Sequence, residues 1–153
     1  MTAIAVAELL VDAPRNVAFS KFIDFSYWDL WMPADFRPVS GPSRALRQGD
    51  EVKVTIGPKG RISLKLEVLR VREDIEICWR GGAAGLLQGE HSFFFADGEA
   101  HKAGKTRIRS EEPLRGLLTL GPLGARVERL MSDGASLLLS RFATYLASGR
   151  PVP

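Results

Sequence analysis

One histidine in this chain stands where a bound molecule would meet it. In Leu87-Gln88-Gly89-Glu90-His91-Ser92-Phe93-Phe94-Phe95, strand alternation puts His91 on one face with Phe93 and Phe95. Imidazole titrates near neutrality, so on an apolar wall it acts as proton donor or acceptor to a ligand carbonyl. The same position equally suits a buried histidine bonded to a neighbouring side chain. Glu112 has inward parity in the run Thr106-Arg107-Ile108-Arg109-Ser110-Glu111-Glu112, expected to pair beside the strand of His91. A carboxylate there would set the imidazole tautomer and raise its basicity. It would also serve as partner to an arginine, or lie at the solvated end of its strand. His91 and Glu112 are the candidate catalytic pair.

The expected lining is apolar. Trp79 lies in Ile75-Glu76-Ile77-Cys78-Trp79-Arg80-Gly81-Gly82, where the glycines leave space beside the indole, so it either lines a pocket or packs a core. Phe93, Phe95 and Ile108 share the inward faces of their strands. Trp28 and Trp31, on short helical segments, are expected at the cavity mouth, as lid contacts or as a plug for the end of the sheet. Met131, Leu138 and Phe142 present the inner stripe of a long terminal helix.

Other chemistries find little support. Two histidines and one cysteine without ligand spacing make a metal site improbable, and no cofactor is expected. Gly81-Gly82 leads into another strand, not into a helix as a phosphate loop does. No nucleophile elbow is present. Cys78 has outward parity and no activating neighbour.

At 153 residues the chain fits one domain, 1–149, with a loose tail at 150–153. Apolar residues make up 45% and charged residues 25%, as in soluble globular proteins. No apolar run approaches the ~18–20 residues that span a bilayer, so no stable membrane insertion is expected. The start, Met1-Thr2-Ala3-Ile4-Ala5-Val6-Ala7-Glu8, reads as a strand and not as a secretory signal. The lone cysteine excludes an internal disulfide and fits a reducing cytoplasm. A net charge of +3 raises the question of nucleic acid, but Arg70 and Arg72 stand among Glu67, Glu73 and Asp74, and Arg126 and Arg129 flank Glu128. Mixed signs of this kind mark a solvated surface and not a nucleic-acid site. A monomer or a homodimer fits equally.

The elements that must position these residues follow from the pattern. A strand over Ala3 to Val11 precedes a short helix, with Asp12 as its cap and Pro14 in its first turn. A helical turn holds Tyr27, Trp28 and Trp31, and Pro33 stops it. Alternation then predicts about six antiparallel strands, with Gly57-Pro58-Lys59-Gly60 as a hairpin and a polar loop from Asp97 to Gly104 containing His101. From about Leu123 to Ala147 apolar residues recur at three- and four-residue spacing, giving one long helix in which Gly134 permits a close approach or leaves room. The fold class is α+β: a curved antiparallel sheet of about seven strands wrapped round a long C-terminal helix, a helix-grip arrangement with a cavity between them.

This order resembles the START-like, or SRPBCC, superfamily, which includes the pollen-allergen fold, and within it the polyketide cyclase/dehydrase and lipid-transport-like branch. The matching stretches are Ala13-Pro14 with Val17 and Phe19, Asp24 followed by Trp31 and Pro33, Gly49-Asp50, Trp79 with Gly81, Gly89-Glu90-His91, Thr106, and Glu112 with Gly116. They span nearly the whole chain and speak for fold, not activity. The resemblance implies a small hydrophobic or aromatic ligand in the cavity, with or without cyclase/dehydrase activity at His91 and Glu112. A carrier or sensor for a lipid or isoprenoid is the alternative. A cochaperone-like partner-binding module is the third reading, and it predicts a filled cavity with an exposed apolar or basic patch.

Overall fold

A computed structural model describes residues 3–83, 85–98 and 104–153. The chain runs through β1 (Ala3–Val11), α1 (Arg15–Ile23), a 3-10 turn (Phe25–Leu30), β2 (Phe36–Ser40), β3 (Glu51–Ile56), β4 (Ile62–Arg72), β5 (Glu76–Ala83), β6 (Leu87–Asp97), β7 (Thr106–Arg115) and α2 (Gly121–Ser148). All seven strands form one antiparallel sheet, ordered β1-β7-β6-β5-β4-β3-β2. Strands β2 to β7 are joined as a meander, and β1 closes onto β7. This is the expected helix-grip architecture.

The small inward residues of β1 set where the long helix lies. Ala3, Ala5 and Ala7 alternate with exposed Ile4, Val6 and Glu8, so α2 packs closely over this strand. β1 is also a free edge, and the Val6 N–H there donates to Ser132 Oγ of α2 at 3.2 Å. The helix thus covers the strand and closes part of its unpaired side. Its inner stripe, Ala135, Leu138, Leu139, Phe142 and Tyr145, faces the main core. Gly149, at φ +64°, ends the helix by donating its N–H to the Tyr145 carbonyl.

Phe22 of α1 ties the layers together. Its ring centroid lies 4.7 Å from Phe93 of β6, 5.0 Å from Phe142 of α2 and 5.2 Å from Trp31. Burying aromatics that meet at tilted and edge-on angles contributes both area and ring-pair attraction.

Two local expectations, at Asp12 and in the tail, are corrected, and the alternative at Gly134 is decided in favour of room beside the helix. Asp12 does not cap α1: Pro14 is the N-cap, and its carbonyl accepts from Ala18, which starts the helix beyond the reach of Asp12. The capping aspartate is Asp24, whose Oδ1 accepts from the Ser26 N–H at 3.1 Å and starts the 3-10 turn. Gly134 is exposed with open space around it, because the close contact of α2 is made through Ser132 and Ala135 on another face. The tail 150–153 is not loose. The Val152 N–H donates to the Leu30 carbonyl at 2.7 Å, and Arg141 donates to the carbonyls of Val152 and Pro153.

Cys78 does face away from the main core, yet it is fully buried. Around it Glu76 accepts from Arg70 and Ser92 and pairs with Arg72, forming a polar cover. Burial pushes the thiol pKa up, so the sulfur stays protonated and unreactive. His101 lies outside the described residues. No helix of the described residues is long and apolar enough to cross a membrane.

Candidate functional site

His91 on β6 and Glu112 on β7 lie one register step from the Ser92–Glu111 pair, on the inner face. The imidazole is wedged among rings. It stacks on Phe93 at 4.2 Å between centroids and meets the Trp79 indole edge-on at 5.7 Å. Its Nε2 lies 2.6 Å from Ser110 Oγ, and its Nδ1 lies 3.7 Å from Glu112 Oε1.

These contacts fix the tautomer. Ser110 is sealed from water and has His91 as its hydrogen-bond partner. A buried hydroxyl hydrogen needs an acceptor, so Ser110 O–H donates to Nε2, and Nδ1 carries the imidazole proton. That N–H points toward Glu112 across a gap too long for a direct hydrogen bond. Ser110, not Glu112, therefore sets the tautomer.

Burial tunes the two groups in opposite directions. Removal from water pushes His91 down to about 3, so the imidazole is neutral across the physiological range. The same effect pushes Glu112 up to about 7. Among the described residues no lysine or arginine pairs with Glu112, which disposes of the arginine-partner alternative. The side chains of Glu112 and His91 each retain 13% exposure, so the pair is enclosed but not sealed from solvent. The imidazole is no stronger a base for its neighbour, contrary to expectation: desolvation outweighs a carboxyl that is half protonated near neutrality. Glu112 is the group that can exchange protons, and His91 Nδ1–H is a fixed donor beside it. A carbonyl or hydroxyl oxygen placed between them would meet both.

Solved structures of three named proteins share this architecture. A START superfamily protein from Mycobacterium smegmatis superposes with a TM-score of 0.71 at 14% identity, covering 95% of this chain and 97% of that one. Ara h 8.0201 does so with a TM-score of 0.70 at 13% identity, covering 97% of this chain and 99% of the other. DynU16, a putative protein of the dynemicin biosynthetic locus, gives 0.69 at 17% identity. There the match covers 97% of this chain but 49% of that one.

The chain has the START-like fold.

No protein-family model matches the sequence, and no curated protein does. Within the START-like frame, the residues expected to line a cavity pack against one another. Trp28, Trp31, Phe93, Ile108 and Phe142 are fully buried, and Trp79, Phe95 and Leu138 nearly so, all in one cluster. Trp28 and Trp31 are therefore core residues and not mouth residues. The Trp28 indole donates to the Phe22 carbonyl at 2.9 Å, while Trp31 Nε1 is a buried polar atom with no partner. Met131 belongs to a smaller cluster with Ala3, Ala5 and Leu114. The space expected beside Gly81 is filled by Leu66. Two surface hollows, one at Pro14, Arg15 and Lys105 and one at Phe25, Pro38 and Gly41, include neither His91 nor Glu112.

In this START-like fold α2 carries an exposed apolar strip. Leu123, Leu130 and Leu137 recur every seven residues on α2 and are exposed. They are in phase with Arg141, which donates to the Trp31 carbonyl at 2.9 Å, and on the flank away from Ser132 and the β1 edge.

Ser110 was not singled out by sequence, and Gly89 was named only as part of the stretch Gly89-Glu90-His91. Ser110 had a signal, since it shares the inward parity of Glu112. The series Ser110–His91–Glu112 has the composition of a nucleophilic triad but not its function. Ser110 is shielded from any substrate, and the Nδ1 to carboxylate gap is too long.

Proposed function

We propose that this chain binds a small apolar, aromatic or polyketide-like metabolite between the sheet and α2, with the ligand's oxygen-bearing end at Glu112 and His91. The observation that carries this reading is Glu112. A carboxyl desolvated against an apolar core, with no cation beside it among the described residues, costs stability, and such a cost supports a group kept for a ligand. The unpartnered Trp31 N–H supports it, as a second buried donor without an acceptor.

In its catalytic form the site performs an aldol-type ring closure or the dehydration that follows. Nδ1–H of His91 holds the ketone oxygen. Glu112 as carboxylate removes the proton α to that ketone. In ring closure the enolate carbon bonds to a second carbonyl and the acid returns the proton to the new alkoxide; in dehydration it returns it to the departing hydroxyl, which leaves as water. Holding a flexible chain in a folded pose supplies much of the rate. The test is turnover of an identified ligand by His91→Ala and Glu112→Ala. Loss in both supports the roles, and full activity in both removes them. In the carrier form, the same variants change affinity alone.

A partner-binding reading is favoured by a specific observation, the ring-filled core together with exposed leucines. It predicts no small-molecule binding by the wild-type chain.

A further inference from the structure

One stripe of α2 is apolar and lies in water. Leu123, Leu130 and Leu137 stand 43%, 70% and 49% exposed. They recur every seven residues, which keeps them within about 20° of one line along the helix. Leucines at this spacing form the seam by which one helix packs on another. Leu130 is the midpoint of the three, and the residues beside the seam are arranged about the same midpoint. Arg126 and Asp133 lie together on one side of it, about 40–60° round the helix from Leu130. Val127 and Gly134 lie at matching angles on the other side. Arg126 and Asp133 are exposed, and neither has an ion pair among the described residues. Val127 is half-buried at the edge of the small cluster of Ala3, Ala5 and Leu114, and a Cβ on Gly134 would meet nothing within 4 Å. Glu128 and Arg129 lie off this face, about 160° and 100° round from Leu130.

A face carrying both signs of charge can complement itself. When a second α2 is turned end for end about a two-fold axis beside Leu130, each residue meets the one equally far beyond the midpoint. Leu130 meets Leu130 of the partner subunit, and Leu123 meets the partner's Leu137. Arg126 lies about 6 Å along the helix from Leu130, and the partner's Asp133 about 4.5 Å in the same direction on the same side of the seam. On the other side Val127 faces the partner's Gly134, where the missing side chain leaves a hole for it. A parallel pair loses these matches, because it sets Arg126 against the partner's Val127 and Asp133 against the partner's Gly134.

We propose that α2 pairs antiparallel with α2 of a second copy of this chain through Leu123, Leu130 and Leu137, with Arg126 and Asp133 forming two equivalent ion pairs between the subunits. The leucines supply the attraction by leaving water, and the charges fix direction and register. The seam stops short of Arg141. The first residue of the partner's helix, the partner's Gly121, falls opposite Leu139, so the bonds from Arg141 to Trp31 and the tail stay in place. The pairing does not depend on ligand binding.

The test is sedimentation equilibrium of the whole chain from low to high micromolar concentration. A monomer–dimer equilibrium is expected. Leu130→Asp sets two carboxylates against each other at the two-fold axis and is expected to leave only monomer. Its circular dichroism spectrum is expected to match the wild type, since the position is exposed. Arg126→Asp is expected to weaken the dimer about tenfold, and Asp133→Arg likewise, because each change brings like charges together twice. Arg126→Asp combined with Asp133→Arg is expected to restore association to the wild-type level, since the pairs are then re-formed with their signs exchanged. A monomer at every concentration overturns the proposal. So does a dimer that survives Leu130→Asp, or one weakened by the single charge changes that the combined variant fails to restore.

Discussion

The Glu112 carboxyl occupies the space that a side chain on Gly89 would need. A Cβ on Gly89 would lie 2.6 Å from Oε2 and 2.9 Å from Cγ of Glu112. Glycine on β6 is therefore what lets a carboxyl fold down onto the sheet beside His91. Gly89→Ala is expected to destabilise the fold by about 1–3 kcal/mol through overpacking. In a Glu112→Ala background the same change is expected to cost much less, because the obstacle is gone. Urea unfolding of the two single variants and the double variant measures this coupling, and additive effects would contradict it.

The two buried titrating groups give opposite pH dependences. Glu112 rises from 4.5 to about 7 on folding, so the folded state holds the extra proton between those values. Its stabilising effect is present below pH 4.5 and is lost as pH rises toward 7. His91 falls from 6.5 to about 3, so the unfolded state holds the extra proton, and stability is lost as pH falls from 6.5 toward 3. Between pH 4.5 and 6.5 the two slopes offset, and their joint contribution is flat. Glu112→Gln is expected to leave the histidine slope alone, so stability climbs with pH across that window. His91→Phe is expected to show the reverse slope. Melting temperatures from pH 4 to 8 in steps of roughly half a unit distinguish these outcomes.

Trp28 and Trp31 offer a contrast between a satisfied and an unsatisfied indole. Trp28→Phe leaves the buried Phe22 carbonyl without its side-chain donor and is expected to cost about 2–4 kcal/mol with the lost volume. Trp31→Phe removes a buried N–H that has no acceptor, which offsets part of the same loss. It is expected to be the milder change in the ligand-free protein. Chemical unfolding of both checks the order, and a larger loss at Trp31 would contradict it.

Arg141 joins α2, the 3-10 turn and the C-terminal tail through its bonds to Trp31, Val152 and Pro153. Arg141→Ala is expected to cost about 1–3 kcal/mol and to free the tail. Deletion of residues 151–153 is expected to cost only part of that amount, because the bond from Arg141 to Trp31 remains. Hydrogen exchange at the Val152 amide reports the release of the tail directly.

The sequence was informative wherever alternation ran unbroken. The strand over Ala3–Val11 is legible because buried and exposed side chains alternate from Ala3 to Glu8. His91 and Glu112 were placed on one inner face for the same reason. Packing across layers was not legible. Nothing in the spacing of Trp28 and Trp31 distinguished a mouth from a centre, since that depends on how α1 delivers Phe22 between them and Trp79. The direction of the His91 shift was hidden as well. It is set by rings from β5 and β6 that surround the imidazole, and parity shows which face they share but not how tightly they close.

The most direct test of the account is native mass spectrometry of the wild-type chain and Glu112→Ala, purified in parallel and incubated with the same mixture of apolar and aromatic ketones. The account predicts a stoichiometric bound mass on the wild type, released by denaturation, and a marked loss of occupancy in the variant. Equal occupancy in both, or an unliganded mass in both, would contradict a ligand site built on Glu112.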